Sequence, residues 1–353
     1  MRTHMQRRRS VVRKCALIAI QFVVALAPRL ALAQPSGAIQ GDPPIVVPGA
    51  KLERLFGDGF FTEGPAPAPD GSVYFSDITF GVKASGYQAG HIWRWDPRTG
   101  TTTVFRSPSG MSNGIVFDEE GRMVVAEGAG FGGRRITRTD MKTGKSVILA
   151  GLFNGRPFNS PNDLVLDARG RIYFTDPRYS GYEPVEQPVQ GVYRIDPDGR
   201  VSLIAANAGK PNGIAVSPDQ ATLYVASIDN GSFDEDLPSE TPATPGRMAL
   251  LAYDLAPDGS AKFRRTVVDF SPGVGPDGIS VDRDGNIYCA IPGDRPGIHV
   301  FSPAGKELAY IPTPDPPTNV KFGRGADKQT LFITARKSLY RIRVERGGYH
   351  PGS

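Results

Sequence analysis

The stretch that decides the fold runs from residue 161 to residue 176 and reads PNDLVLDARGRIYFTD. Two short runs rich in β-branched and aromatic residues, DLVLD and RIYFT, flank a connector that ends at Gly170. Such runs favour β-strands, and a connector with Asp and Gly is typical of a tight hairpin turn. The stretch therefore predicts a β-hairpin whose first strand is preceded by a polar residue, Asn162.

Five further stretches repeat this pattern, at intervals of roughly 42 to 65 residues. They are TEGPAPAPDGSVYFSD from Thr62, SNGIVFDEEGRMVVAE from Ser112, PNGIAVSPDQATLYVAS from Pro211, PDGISVDRDGNIYCAI from Pro276 and, more weakly, TNVKFGRGADKQTLFITA from Thr318. Repeats of this length are typical of propellers and solenoids. Further strand-like runs such as HIWRWD and GVYRID lie between them, so each repeat holds about four short strands, the content of one propeller blade.

The composition agrees with a chain of many turns and few helices. The chain has 353 residues, of which 42 are Gly and 32 are Pro, and no segment shows a sustained apolar period of 3.6 residues. We therefore expect an all-β protein, a six-bladed β-propeller with four-stranded antiparallel blades over residues 51–345. Two long β-sandwich domains are the alternative, but they do not explain six copies of one hairpin with a polar residue at its start.

The first 33 residues predict a signal peptide. A basic start without acids precedes the apolar run CALIAIQFVVALA and the small-residue site Ala31-Leu32-Ala33. The apolar run is shorter than the ~20 residues that a membrane span needs. We expect cleavage after Ala33 and a periplasmic or secreted protein, exported by the general or the twin-arginine route. Residues 34–50 are then a linker and residues 346–353 a C-terminal tail.

Removal of this predicted signal peptide, called the leader here, would change the formal net charge from positive to negative. The whole chain carries a formal net charge of +5, but seven of its 41 Lys and Arg residues and none of its 36 Asp and Glu residues lie in the leader, so the remainder carries −2. Nucleic acid is therefore not an expected partner, and neither is a membrane after leader removal. Cys289 is the one cysteine left, which excludes an intrachain disulfide. The sequence does not predict an oligomeric state.

A ring of polar residues is expected at the centre of the propeller. The innermost strand of every blade lines the central channel, so residues at the same place in each repeat meet near the axis. The residues at that place are Glu63, Asn113, Asn162, Asn212, Asp277 and Asn319. Carboxylate and amide oxygens suit hard cations such as Ca²⁺ or Mg²⁺, and the amides would complete the shell beside water or substrate. The alternative is that Asn and Asp before Gly serve only turns, which applies best to Asn113 and Asn319 and least to Glu63.

The longest interval between repeats contains DNGSFDEDLPSETPATPGR, residues 229–247. This acidic, proline-rich stretch is expected to be a surface loop between blades that overhangs one mouth of the channel.

These motifs carry a resemblance to a known family. The chain from about Lys51 to Val344 resembles the gluconolactonase, senescence-marker-protein (regucalcin) and luciferin-regenerating family of six-bladed propellers. The stretches that match are Glu63-Gly64-Pro65, SPNDLVLDARGRIYFTDPRY, KPNGIAVSPD and GPDGISVDRDGNIY, and TVFRSPSGMSNG points to the bacterial gluconolactonase-like branch.

The resemblance implies one divalent metal ion in the channel, usually Ca²⁺, with Mg²⁺, Mn²⁺ or Zn²⁺ as alternatives. It implies that Glu63, Asn212 and Asp277 bind this ion, that Asn162 binds the ion or the substrate, and that Asp277 also accepts the proton from water. Asn113 is expected to contact substrate from its place in the ring.

Two positions depart from the family pattern. Ser160 stands where the animal lactonases have an arginine that helps to hold the sugar lactone. Glu127 is followed by Gly128 where bacterial relatives often have Glu-His. We expect both Ser160 and Glu127 in the wall of the substrate pocket.

The function expected from the resemblance is hydrolysis of a sugar-type lactone, by attack of water on a carbonyl polarised by the metal. The substrate would be a small-molecule lactone or ester. Two alternatives stay open: a phosphotriesterase or arylesterase type of hydrolase using the same metal site, and a non-catalytic propeller that binds calcium or another ligand.

Overall fold

The hairpin at residues 161–176 forms as its sequence indicates. Leu164–Leu166 pairs with Ile172–Asp176 in antiparallel register, with Leu164 opposite Phe174 and Leu166 opposite Ile172. Leu164, Ile172, Tyr173 and Phe174 of this hairpin are buried between neighbouring sheets. The turn between the strands closes through Gly170, whose φ of 73° suits a residue without Cβ. The antiparallel pairing of two such strands recurs in the other five repeats.

The computed structural model describes residues 40–41, 45–79, 90–231 and 245–351. In chain order the strands are β1 (Gln40–Gly41), β2 (Glu53–Phe56), β3 (Thr62–Pro67), β4 (Val73–Asp77), β5 (His91–Asp96), β6 (Thr101–Arg106), β7 (Ser112–Phe117), β8 (Met123–Glu127), β9 (Arg135–Thr139), β10 (Ser146–Ala150), β11 (Leu152–Phe153), β12 (Arg156–Pro157), β13 (Leu164–Leu166), β14 (Ile172–Asp176), β15 (Gly191–Ile195), β16 (Val201–Ala205), β17 (Pro211–Val216), β18 (Thr222–Ile228), β19 (Met248–Leu255), β20 (Ala261–Asp269), β21 (Ile279–Val281), β22 (Ile287–Ile291), β23 (Gly297–Phe301), β24 (Glu307–Pro312), β25 (Pro317–Phe322), β26 (Thr330–Ala335) and β27 (Ser338–Arg343). The one helical element in these ranges is a 3₁₀ turn at Gly325–Asp327.

The strands form six blades, which confirms the predicted six-bladed β-propeller with four-stranded antiparallel blades. Blades 1 to 4 are β3–β6, β7–β10, β13–β16 and β17–β20, each in sequence order from the inside out. Blade 5 is β21–β24 with β1 added at its outer edge, and β11 and β12 form a separate two-stranded hairpin.

Blade 6 is closed by the two ends of the propeller sequence. Its inner three strands are β25, β26 and β27, and its outermost strand is β2, which precedes blade 1 in the chain. Glu53 lies opposite Arg341 and Phe56 lies opposite Leu339 in this pairing. The outer strand therefore ties the first blade to the last.

Each pair of neighbouring blades shares an apolar cluster. One example, between blades 6 and 1, contains Phe75, Trp95 and Phe332, with Phe56 packed against it. Five further clusters of buried residues fill the other interfaces in the described part of the chain. Burial of this apolar surface is the main force that holds the ring together.

The prediction that the acidic stretch at residues 229–247 connects two blades is wrong. The stretch joins β18 to β19, which are hydrogen-bonded neighbours in blade 4, so it is an insertion within a blade and not a connection between blades. The inserted residues lengthen the interval to the next repeat without changing the order of strands. Residues 232–244 of this stretch lie outside the described residues.

Both ends of the described chain pack on the propeller. Val46 pairs with Val344, and Gly348 pairs with Asp282. Residues 1–39, which contain the predicted signal peptide, lie outside the described residues. Within the ranges that the structure covers, no helix has the length and apolar character needed to cross a bilayer.

Candidate metal and substrate site

The polar residues that open the inner strands come together around the channel. Glu63, Asn113, Asn162, Asn212 and Asn319 are all buried, and Asp277 is half-buried with a buried Oδ1. They are contributed by blades 1, 2, 3, 4, 6 and 5, respectively, so every blade supplies one member. This set is called the polar ring below.

Backbone contacts between blades hold the polar ring. The N–H of Gly114 donates to the carbonyl of Asn162 at 2.7 Å, and the N–H of Gly213 donates to the carbonyl of Asp277 at 3.0 Å. A Cβ at Gly64 would collide with the carbonyl oxygen of Asn113. Glycine after the ring residue therefore lets one blade approach the next closely, which explains the Glu-Gly, Asn-Gly and Asp-Gly pairs.

Hydroxyl groups on β4 and β14, the second strands of blades 1 and 3, add to the support of the polar ring. Ser76 Oγ donates to the Asn113 carbonyl at 2.7 Å, and Thr175 Oγ1 donates to the Asn212 carbonyl at 2.7 Å. Each hydroxyl belongs to one blade and each carbonyl to the next. Hydrogen bonds that cross the blade interfaces thus hold the backbone of Asn113 and Asn212 in place.

Sequence reasoning missed two charged residues in the channel. Asp163 follows Asn162 directly, and its carboxylate is fully buried. Lys321 Nζ lies 3.1 Å from Asp163 Oδ2 and donates to the carbonyl of Ile279 at 3.0 Å. Asn319 Nδ2 lies 3.5 Å from the same carboxylate oxygen. Asp163 and Lys321 therefore form a buried ion pair that belongs to the site.

The carboxylates of the channel affect one another. The pKa of Glu63 is raised to about 8, mainly by burial and secondly by the negative charge of Asp163. Burial, and then Glu63 and Asp163, raises the pKa of Asp277 well above its usual range. Hydrogen bonding from the Asn212 amide acts on Asp277 in the opposite direction. Three acids beside one lysine in a buried site favour protonation, which a bound cation would reverse.

The donor atoms of the ring fit a hard divalent cation. Among the described residues, Asn113 Oδ1 and Asp277 Oδ1 are buried and have no hydrogen-bond partner. Such atoms are costly unless a ligand satisfies them. Glu63, Asp163 and Asp277 carry three negative charges when ionised and Lys321 offsets one, so one divalent ion balances the remainder. No group of three or more His, Cys, Asp or Glu side chains in the described ranges could hold a metal alone, so the amide oxygens are needed.

The two residues expected in the pocket wall have different surroundings. Ser160 Oγ accepts a hydrogen bond from the N–H of Ala129 at 2.9 Å, which links the loop after β8 to the loop before the ring residue of blade 3. The Glu127 carboxylate accepts hydrogen bonds from Arg135 Nε at 2.7 Å and Thr137 Oγ1 at 2.9 Å. These contacts lie within blade 2 and give Glu127 a supporting role there.

A cavity of about 540 Å³ opens at the opposite end of the inner strands. It is lined by the hairpin turns that follow those strands, such as residues 167–170, and by C-terminal residues including Tyr349. None of the six ring residues lines it, and Lys321 lies between it and the polar ring. The chemistry of the ring therefore belongs to the other mouth of the channel.

The fold and the ring define a class of protein, the six-bladed β-propellers with a buried, oxygen-rich centre. The sequence profile of the SMP-30/Gluconolactonase/LRE-like region matches residues 61–337. The chain belongs to this family, as the sequence motifs predict.

Individual relatives agree with this assignment. A gluconolactonase from Zymomonas mobilis is 32% identical over 319 residues, which cover 84% of this chain and 82% of that protein. A 6-deoxy-6-sulfogluconolactonase from Pseudomonas putida is 29% identical over 268 residues, covering 75% of this chain and 79% of that protein. The solved structure of a gluconolactonase from Xanthomonas campestris superposes with a TM-score of 0.70 at 28% identity, covering 88% of this chain and 99% of that chain.

Proposed function

We propose that this protein is an exported, metal-dependent hydrolase that opens a sugar-type lactone to the corresponding hydroxy acid. The observation that carries the proposal is the polar ring. Buried oxygens of Asn113 and Asp277 there have no hydrogen-bond partner among the described residues, and three carboxylates and one lysine lie in the same channel. Family membership and the lactonases among the relatives support the choice of a lactone as substrate.

Glu63, Asn162, Asn212 and Asp277 are the residues that would hold the ion, with Ca²⁺ as the first choice for oxygen ligands. A divalent cation bound there supplies positive charge that polarises the lactone carbonyl and stabilises negative charge on its oxygen. Asn113 lies in the same ring and would contact the substrate.

Asp277 is the proposed proton acceptor. A water molecule gives a proton to Asp277 Oδ1 while its oxygen bonds to the carbonyl carbon. The carbon–oxygen bond of the lactone ring then breaks, and the alcohol oxygen takes up the proton that Asp277 received, which gives the hydroxy acid and restores the carboxylate. Without a cation, burial beside Glu63 and Asp163 raises the pKa of Asp277. A cation bound in the ring would act in the opposite direction and keep this carboxylate ionised, as a proton acceptor must be.

Export follows from the predicted signal peptide and stays a proposal. The amino terminus of the protein recovered from the periplasm or medium should begin at Gln34 if cleavage occurs after Ala33. Recovery of the protein with its first 33 residues intact would contradict this part.

The test of activity uses the purified chain with glucono-1,5-lactone, an aryl ester and a phosphotriester. We expect the lactone to be hydrolysed fastest, with activity lost in chelator and restored by calcium. Asp277→Asn keeps the shape and should lower kcat by at least about a hundredfold, the usual contribution of general base catalysis. Asp284→Asn, in an exposed turn, is the matched control. The proposal would be contradicted if chelator did not change the rate of lactone hydrolysis, or if Asp277→Asn hydrolysed the lactone at the wild-type rate.

A further inference from the structure

Tyr179, which is not part of the polar ring, contacts one of its members. It lies in the loop of residues 177–190 that joins β14 to β15 in blade 3. Its Oη accepts a hydrogen bond from Asn212 Nδ2 at 3.3 Å and donates a long one to the carbonyl of Lys210 at 3.4 Å. The tyrosine therefore reaches from blade 3 to the start of the inner strand of blade 4.

A buried lysine fixes the ring of Tyr179. Lys210 is 1% exposed, and its Nζ lies 5.1 Å from the centroid of the Tyr179 ring. The same Nζ donates to Asn230 Oδ1 at 2.5 Å. An ammonium group over an aromatic face is attracted to it, so Lys210 holds the phenol in one orientation.

The loop that carries Tyr179 is itself held in place. The buried guanidinium of Arg178 donates to the carbonyl of Glu183 at 2.7 Å and to the carbonyl of Asn159 at 2.9 Å. The backbone N–H of Arg178 donates to Gln190 Oε1 at 2.7 Å. The residue next to Tyr179 thus ties the loop to itself and to the backbone before β13, which restricts the place of Tyr179 beside Asn212.

We infer that Tyr179 is a positioning residue for Asn212. An amide side chain has an oxygen acceptor on one side and an NH₂ donor on the other, and a cation binds only the oxygen. The NH₂ group of Asn212 donates to the Tyr179 hydroxyl and also hydrogen-bonds to the Asp277 carboxylate, so the tyrosine helps to keep Oδ1 as the group that Asn212 offers to a cation. This inference rests on the proposed metal site.

The first test measures calcium binding by titration calorimetry, without any substrate. Tyr179→Phe removes the hydroxyl and keeps the ring, and it should weaken calcium binding about tenfold or more, as loss of an outer-shell partner typically does. Tyr182→Phe is the matched control, since Tyr182 belongs to the same loop but stacks on Phe131 and is 42% exposed. The control should bind calcium as the wild type does.

A second variant separates positioning from general support of the structure. In an Asn212→Asp background both side-chain positions are oxygens, so no orientation has to be selected. Tyr179→Phe should then change calcium affinity less than about twofold. An equal loss in the Asn212 and the Asn212→Asp backgrounds would overturn the inference, because it would mean that Tyr179 only supports the loop. Urea unfolding in chelator checks that each variant is folded.

The outcomes distinguish this inference from the proposed function. Wild type that binds none of Ca²⁺, Mg²⁺, Mn²⁺ and Zn²⁺ would overturn both. Wild type that binds calcium, with Tyr179→Phe binding it equally well, would overturn only the role of Tyr179.

Discussion

Glu63 is a residue at which burial and nearby charge make the stability of the protein depend on pH. Its pKa is raised to about 8 in the folded protein, first by burial and then by Asp163, from an ordinary value of 4.5. The folded state therefore binds this proton more tightly than the unfolded state does. The resulting stabilisation is complete below about pH 4.5 and is lost as the pH rises through 8.

We expect the free energy of unfolding of the metal-free protein to fall between pH 5 and pH 8, by up to about 1.4 kcal/mol per pH unit for each group that titrates. Glu63→Gln should reduce this slope. Part of this dependence of stability on pH should remain in the variant. Burial also raises the pKa of Asp176 to about 7, and it raises the pKa of Asp277 as well. Urea unfolding in chelator at four pH values measures the effect.

The control for this prediction is Glu53→Gln, which changes an exposed carboxylate paired with Arg341. It should leave the slope of stability against pH as it is in the wild type. Equal slopes in Glu63→Gln and the wild type would show that Glu63 titrates normally in the folded protein.

At the scale of the strand, the inner strands depend on glycine where two blades meet. Gly64 lies in β3 with a φ of 50°, and a Cβ there would strike the carbonyl oxygen of Asn113 in blade 2. Gly100 has a similar φ of 67°, but a Cβ there would meet nothing within 4 Å. The two positions share the backbone strain and differ in the space around them.

Gly100→Ala should cost about 1–2 kcal/mol of stability, the ordinary penalty for a Cβ in the left-handed region. Gly64→Ala should cost at least about 3 kcal/mol, because the backbone of blade 2 must also move. Urea unfolding of both variants measures the difference. Costs that agree within about 0.5 kcal/mol would mean that the blades are not packed tightly at the ring.

The elements that could be predicted from the sequence are those with local signals. Strand alternation and turn residues repeat in every blade, so the hairpins and the six ring positions could be found without a structure. Asp163 was missed because neighbouring residues of a strand point to opposite faces. However, β13 begins only at Leu164, so Asn162 and Asp163 precede the strand and both belong to the channel.

Lys321 and Tyr179 could not be found for a different reason. Nothing in the local sequence distinguishes Lys321 from other strand residues. Its role depends on the position of blade 6 opposite blade 3, which brings it to Asp163. Tyr179 lies in a loop without periodicity, and only the packing of blade 3 on blade 4 brings it to Asn212. The insertion at residues 229–247 was misplaced because its flanking strands belong to one blade, a pairing that its composition does not reveal.

At the scale of the whole molecule, the ring is closed by hydrogen bonds and packing through β2. This strand pairs with β27, and Phe56 at its end lies 5.4 Å from Phe75 and 5.0 Å from Trp93, measured between ring centroids. Both aromatic partners belong to blade 1. The strand therefore connects blade 6 and blade 1 by main-chain and side-chain contacts together.

Removal of residues 1–58 should open this closure, because it deletes β2, leaves β27 as an unpaired edge and exposes the apolar cluster shared by blades 6 and 1. We expect the melting temperature to fall by about 10 °C or more, given the several kcal/mol that such contacts supply, with self-association through the exposed edge. Removal of residues 1–48 is the matched control, since it keeps β2 and loses β1, the pairing of Val46 with Val344 and the packing of Ile45 and Val46 on blades 5 and 6. Calorimetry and size-exclusion chromatography compare the two proteins. Equal melting temperatures would mean that the six blades hold their ring through the inner strands alone, and that the outer strand merely covers an edge.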